Sequence, residues 1–148
     1  MKIHPDFDEF VAALNKNHVQ YLIIGSFALA FHGCPRANGD IDFWIRPTAV
    51  NAKNLLQALQ DFGFAELELS QDDILSEDII QLGFPPVRID LITVLAGLKT
   101  EELWGGRKKG KFGVHDVYYI GRKDYIKNKR AVGRHKDLAD LELLGENP

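Results

Sequence analysis

One cysteine, Cys34, stands in 148 residues. A single thiol excludes any disulfide within the chain and every zinc site built from several cysteines, and it points to a reducing compartment. The five histidines show no metal-ligand spacing. Long apolar runs are missing too. The longest mainly apolar stretch, Tyr21–Phe31, is eleven residues and is interrupted by Gly25 and Ser26, well short of the ~18 that suggest a membrane span. The first residues, MKIHPDFDEF, lack the basic-then-apolar order of a signal segment. The expected location is therefore cytoplasmic, with no membrane partner. Repeats and low-complexity tracts are also absent, and the length suits one domain over residues 1–148, by a prior of ~100–200 residues per domain. A composition of 45% hydrophobic and 26% charged residues is that of an ordinary globular chain.

Positive charge is in short supply overall, since the net charge is −3. That speaks against a nucleic-acid binder working by bulk charge. The average conceals two opposed regions. Residues 1–98 carry 6 basic and 13 acidic side chains, whereas residues 107–136 carry 11 basic and 2 acidic. The basic stretch is either a solvated loop and helix face or a surface for phosphates or RNA.

Helical and strand periods alternate along the chain. Pro5 suits a first helical position, and Phe7, Phe10, Val11 and Leu14 give one apolar face. Tyr21–Ile24 reads as a strand, Phe27–Phe31 as a short helix closed by Gly33, and Asp40–Arg46 as a strand ended by Pro47. Thr48 caps a helix with Ala52, Leu55, Leu56 and Leu59 on one side. Ile79–Phe84 and Val87–Val94 are β-type runs around Pro85-Pro86, Gly97–Gly113 reads as a loop or short helix, and Val114–Ile120 as a strand. Asp124–Val132 and His135–Leu144 read as two helices divided near Gly133, the second with Leu138, Leu141 and Leu144 as its buried stripe. The order implies an α/β (α+β) domain, a mixed sheet flanked by helices.

The strand Asp40-Ile41-Asp42-Phe43-Trp44-Ile45 carries the most chemistry. Alternation puts Asp40, Asp42 and Trp44 on one face and three apolar residues on the other. Two carboxylates so close repel unless a proton or a cation intervenes, and oxygen ligands suit Mg²⁺ or Mn²⁺. A solvent-facing edge strand with two ordinary aspartates is the alternative. Asp90 is an isolated acid in the otherwise apolar run around Val87–Ile92, costly there unless it is paired or metal-bound. Either it joins Asp40 and Asp42 from a neighbouring strand, or it pairs with Arg88 on its own face. Upstream, Gly25-Ser26 ends a strand at the mouth of a helix, where backbone N–H groups and the Ser26 hydroxyl can meet phosphate; an ordinary strand-to-helix turn with a Ser cap is the alternative. Arg36 and Asn38 lie in the loop just before the acids and either touch phosphate or shape the turn.

Gly25-Ser26, a spacer of thirteen residues, Asp40-Ile41-Asp42 and a later Asp90 resemble the DNA polymerase β-like nucleotidyltransferase superfamily. The tail Lys129…Arg134-His135-Lys136-Asp137-Leu138-Ala139-Asp140-Leu141 is similar to that of the small bacterial and archaeal nucleotidyltransferase-like proteins, among them abortive-infection type toxins of toxin–antitoxin pairs. The resemblance implies the nucleotidyltransferase fold and a metal-dependent transfer of a nucleoside monophosphate from an NTP to an acceptor hydroxyl, with pyrophosphate leaving. It implies metal ligation and catalysis by Asp40, Asp42 and Asp90, and triphosphate contact at Gly25 and Ser26. Lys129, Arg134 and Lys136 are expected to face the nucleotide or acceptor, with Asp137 orienting one of them; surface pairing of Lys136 with Asp140 is the alternative. The acceptor stays open among RNA, protein and small molecules. A module that binds nucleotide, or pairs with an antitoxin or other partner chain, without turnover is the rival reading.

One lookalike is discarded. Gly105-Gly106-Arg107-Lys108-Lys109-Gly110-Lys111 fits a P-loop pattern, but Phe112 follows where Ser or Thr must hold Mg²⁺, and a β-type run follows where a helix should. His32 either contacts nucleotide or is a satisfied structural histidine, and Trp44 and Trp104 read as core or rim residues.

Overall fold

The computed structural model describes residues 3–34, 39–64 and 67–146. Helix α1 (Pro5–Lys16) leads to β1 (Tyr21–Ile24), α2 (Gly25–Phe31), β2 (Asp40–Ile45), α3 (Ala49–Phe62) and α4 (Gln71–Leu75). The hairpin β3 (Ile80–Phe84) and β4 (Val87–Ile92) follows, then α5 (Thr100–Gly105), β5 (Lys108–Phe112), β6 (His115–Tyr119), α6 (Arg122–Val132) and α7 (His135–Leu143). The strands form one mixed sheet in the order β3-β4-β2-β1-β6-β5. Pairs β1–β6 and β2–β4 are parallel and the other three antiparallel. The mixed sheet with flanking helices is the architecture expected from the sequence.

Both faces of the central strands are covered. Tyr21, Ile23, Ile41, Phe43 and Ile45 point to one face, and all are buried. Phe10 of α1 packs at 5.4 Å from Phe43 and 5.3 Å from Phe62 of α3, so this layer is filled by edge-on aromatic contacts. The opposite face carries Leu22 and Trp44 at its centre. Trp44 shares its face with Asp40 and Asp42 as alternation requires, yet it is fully buried. It lies 6.5 Å from Trp104 of α5, and its indole N–H donates to the Thr93 carbonyl at 3.0 Å.

Asn51 ties the first helical layer to the sheet. Its Oδ1 accepts from the Gln20 N–H at 2.7 Å, and its Nδ2 donates to the carbonyls of Gln20 and Arg46, both at 2.8 Å. One buried amide thus clamps the backbone just before β1 to that just after β2, giving the Gln20 N–H its partner and adding a donor to two carbonyls that also accept from the Arg46 and Thr48 N–H groups.

The segment Gly97–Gly113 holds more order than the loop or short helix expected. It contains α5 and an edge strand, β5, paired with β6 from Lys108↔Tyr119 to Phe112↔His115. Lysines at 108, 109 and 111 concealed the strand, because an edge strand tolerates charge that a central one would not. The P-loop lookalike therefore spans a helix end and an edge strand. Among the described residues, no helix is long and apolar enough to cross a membrane.

Replacing Asn51 by alanine leaves the Gln20 N–H without its partner and takes one donor from each of two carbonyls. Urea denaturation at neutral pH is expected to show a loss of about 1–3 kcal/mol, and an unchanged midpoint would contradict the role given to this amide.

Candidate active site

Strand register brings the acids together. In the parallel pair β2–β4, Asp40 stands opposite Arg88 and Asp42 opposite Asp90. Residues paired in this way share a face and lie about 4.8 Å apart at Cα. Both acids of β2 and the acid of β4 therefore crowd one end of the sheet. Next door in the antiparallel pair, Ile24 of β1 is opposite Asp42, so the chain leaves β1 at Gly25 beside that carboxylate.

Gly25 has a backbone φ of +66°, and a Cβ built there would collide with the Asp42 carboxyl group. Glycine is required on both counts: the left-handed backbone and the close approach of the acid. Ser26 follows in the first turn of α2.

Charge balance sets the details. Asp42 is pushed up to about 6, first by burial, then by the charge of Asp90, by a hydrogen bond between the two carboxyl groups, and by Asp40; Lys129 opposes this. Below that value Asp42 is protonated, which relieves the repulsion among the acids. Arg88 neutralises much of the rest. Its Nε and Nη2 donate to the two oxygens of Asp90 at 2.9 and 3.1 Å, and Nη2 also reaches Asp40 Oδ2 at 3.0 Å. Both alternatives for Asp90 thus hold together: it joins the other acids and it pairs with Arg88.

A cleft of about 600 Å³ opens over these groups. Gly25, Ser26, Asp40, Asp42, Arg88 and Asp90 form its sheet side. Its far wall comes from α6 and α7, through Tyr125, Asn128, Lys129, Arg134, Lys136 and Asp140. Lys129 is held in place rather than waving in solvent. Only 13% of its side chain is exposed, and its Nζ lies 3.2 Å from Asp137 and 3.6 Å from Asp140.

Asp137 stands behind this wall and does not line the cleft. It is fully buried and accepts from Lys129 Nζ, from the Arg134 backbone N–H, and from Arg134 Nε at 2.7 Å. Burial pushes its pKa up, but the bonds from Arg134 and Lys129 outweigh that and hold it near 2. Asp137 orients two cations and caps α7, and by burial it takes a place in the stripe where leucines were expected. In α7 the buried side chains are Asp137, Asp140 and Leu141. Lys136 is exposed and lines the cleft, and the ion pair to Asp140 comes from Lys129. Arg36 and Asn38 lie outside the described residues. His32 donates to the Ile120 carbonyl at 2.8 Å, which ties α2 to the chain just past β6 and gives the ring a structural partner.

Asp140, Tyr125 and Asn128 are cleft residues that sequence reasoning missed. The signal for Asp140 was its i+3 spacing from Asp137, which puts both on the face turned to α6.

Asp40, Asp42 and Asp90 form a candidate cation site. Three carboxylates in adjacent register suit a hard divalent ion in kind. As the side chains stand, Arg88 holds two of them, and among the described residues no group of three acidic, His or Cys side chains is placed to hold a metal ion. The chemistry fits, with the guanidinium in the competing position.

With this geometry in hand, the fold can be compared with known ones. It is similar to the crystal structure of a "putative nucleotidyltransferase" from Thermotoga maritima, with a TM-score of 0.62 over 95% of this chain and 93% of that one. Sequence identity is 15%, so the likeness is one of fold. No family model matches the chain, and no curated protein does.

Two measurements test the electrostatics. For Asp42, an acid whose folded pKa lies above its unfolded one, ionisation costs stability as pH rises through about 6. In chelator, Asp42→Asn should gain about 1–3 kcal/mol in urea melts at pH 7.5, and the gain should vanish near pH ~4. Asp137 has the opposite sign. Its contribution is present above the unfolded value of 3.8 and is lost as pH falls toward about 2. Asp137→Ala should lose about 2–4 kcal/mol at neutral pH, with the difference shrinking in acid.

Proposed function

We propose that this chain is a metal-dependent nucleotidyltransferase that moves a nucleoside monophosphate from an NTP to an acceptor hydroxyl. The observation that carries the reading is the meeting of Asp40, Asp42 and Asp90 beside the Gly25-Ser26 turn, across a cleft from Lys129. The fold likeness to the Thermotoga protein supports it.

Asp40, Asp42 and Asp90 would hold Mg²⁺ or Mn²⁺, which when bound supplies charge to the phosphoryl oxygens and to the attacking hydroxyl. The chain's own residues do the remainder. Gly25 lets phosphate approach the backbone without a side chain in the way, and the Ser26 hydroxyl can donate to a phosphate oxygen. Lys129, fixed by two buried aspartates, presents one ammonium across the cleft, where charge builds on the transferring group. Because Asp137 and Asp140 prevent it from reorienting, little reorganisation is left for the moment of reaction. Lys136 and Arg134 add positive charge at the rim for the polyphosphate or the acceptor. The acceptor class is RNA, protein or a small molecule. A cytoplasmic setting and a toxin–antitoxin partnership belong to the same proposal.

A second reading, nucleotide binding without turnover, has one observation in its favour: Arg88 occupies two of the three acids. One experiment separates the two. Cell lysate is incubated with each α-labelled NTP and Mg²⁺ or Mn²⁺, with wild type or Asp40→Ala. Transfer by wild type and a fall in the variant larger than the ~10–100-fold that loss of an outer ligand contact costs are expected, and the labelled fraction identifies the acceptor. Nucleotide binding with no label transferred and no pyrophosphate released would favour the second reading, while full activity in Asp40→Ala would overturn the first.

A further inference from the structure

Arg88 sits where a cation is wanted. It shares a face with Asp40 and Asp90 and contacts both, so a guanidinium bridges adjacent strands at the point where the acids converge. Its charge is what keeps three carboxylates tolerable together on a half-buried surface. Bidentate pairing with Asp90 fixes the planar fork in one orientation. Any ion that takes the oxygens of Asp40 and Asp90 has to move this group first.

There is room for it to move. On the neighbouring edge strand, the residue opposite Arg88 is Gly83, which presents no side chain over it. Gly83 has a φ of +78°, and a Cβ there would strike the Val87 carbonyl oxygen, so the position is closed to larger residues. Arg88 also lines the cleft that holds Gly25, Ser26 and Lys129. A guanidinium released from the carboxylates therefore stays within the same cleft, and planar forks of this kind recognise phosphate as well as carboxylate.

Resting on the nucleotidyltransferase reading of the cleft, we propose that Arg88 is an exchangeable internal cation: it closes the acid cluster in the resting protein, yields Asp40 and Asp90 to the divalent ion, and turns to the polyphosphate of the nucleotide. Binding of metal and binding of nucleotide are then coupled through one side chain. Metal alone must displace Arg88 with nothing to receive it, whereas metal arriving with a nucleoside triphosphate gives the displaced group a new partner. Full occupancy of the acids is thereby tied to the presence of substrate.

The test reads binding rather than turnover. Mn²⁺ affinity is measured by electron paramagnetic resonance, without nucleotide and with a non-hydrolysable ATP analogue, for wild type, Arg88→Gln, Arg88→Lys and Lys136→Gln. Lys136→Gln removes the same charge from the same cleft and controls for long-range electrostatics. Without nucleotide, Arg88→Gln should bind Mn²⁺ on the order of tenfold tighter than wild type, with Arg88→Lys between them and Lys136→Gln close to wild type. The analogue should tighten Mn²⁺ binding in wild type more than in Arg88→Gln. A thermal melt of each variant establishes that it is folded, and Arg88→Lys, which keeps the charge and loses the fork, carries the comparison should Arg88→Gln fail to fold. Equal Mn²⁺ affinity in wild type and the Arg88 variants overturns the role of Arg88 while leaving the metal site standing. An equal gain in Arg88→Gln and Lys136→Gln overturns it in favour of bulk charge. No Mn²⁺ bound by any variant, with or without the analogue, overturns both this proposal and the metal-dependent reading.

Discussion

Three like charges on neighbouring strands are the constraint around which this molecule is arranged. Sheet register fixes Asp42 beside Asp90 and Asp40 beside Arg88 at strand spacing, and no side-chain rotation can separate them far. Left alone, such a cluster would push the strands apart or take up protons. The protein meets the problem from three directions. Arg88 pairs with two of the acids, Asp42 keeps its proton up to about pH 6, and Lys129 lowers the cost from across the cleft. Two of these compensations are cations that line the cleft. The same electrostatic need that stabilises the sheet end therefore shapes the cleft.

The far wall obeys a different logic. Helices α6 and α7 are joined by buried ion pairs rather than by a leucine stripe. Lys129 lies between Asp137 and Asp140, and Arg134 completes the cap on Asp137. Breaking a buried pair costs several times what an exposed pair is worth, so the wall resists local loosening although α7 presents few apolar side chains. Rigidity here serves one ammonium group, held between Asp137 behind the wall and Asp140 at the cleft.

Much of this was legible in the sequence, because period-two alternation decides faces without knowledge of partners. Asp40 with Asp42, the isolated Asp90 and the Gly25-Ser26 turn all lie where their patterns placed them, and the mixed sheet follows from the order of elements. Pairing is what alternation cannot supply. Arg88 could be read either as partner of Asp90 or as bystander to a metal site, and only the β2–β4 register shows that it touches Asp40 as well. The α7 stripe holds only in part: Leu141 is fully buried, while Leu138 and Leu144 are half-buried and aspartates matched to a buried lysine on another helix share the inner face. Strand β5 escaped because an edge strand rich in lysine has the composition of a loop.

The parallel register of β2 and β4 has a consequence for how the protein comes into being. The parts of the cleft stand at residues 25, 42, 90 and 129, so no local stretch of chain contains even half of it. Loop closure over these separations is slow compared with helix formation. A chain that has made its helices but not yet aligned β4 on β2 carries Asp40 without its guanidinium and Asp42 apart from Asp90, and it has no cleft. The cleft is thus a late product of folding, owned by no single segment of the chain.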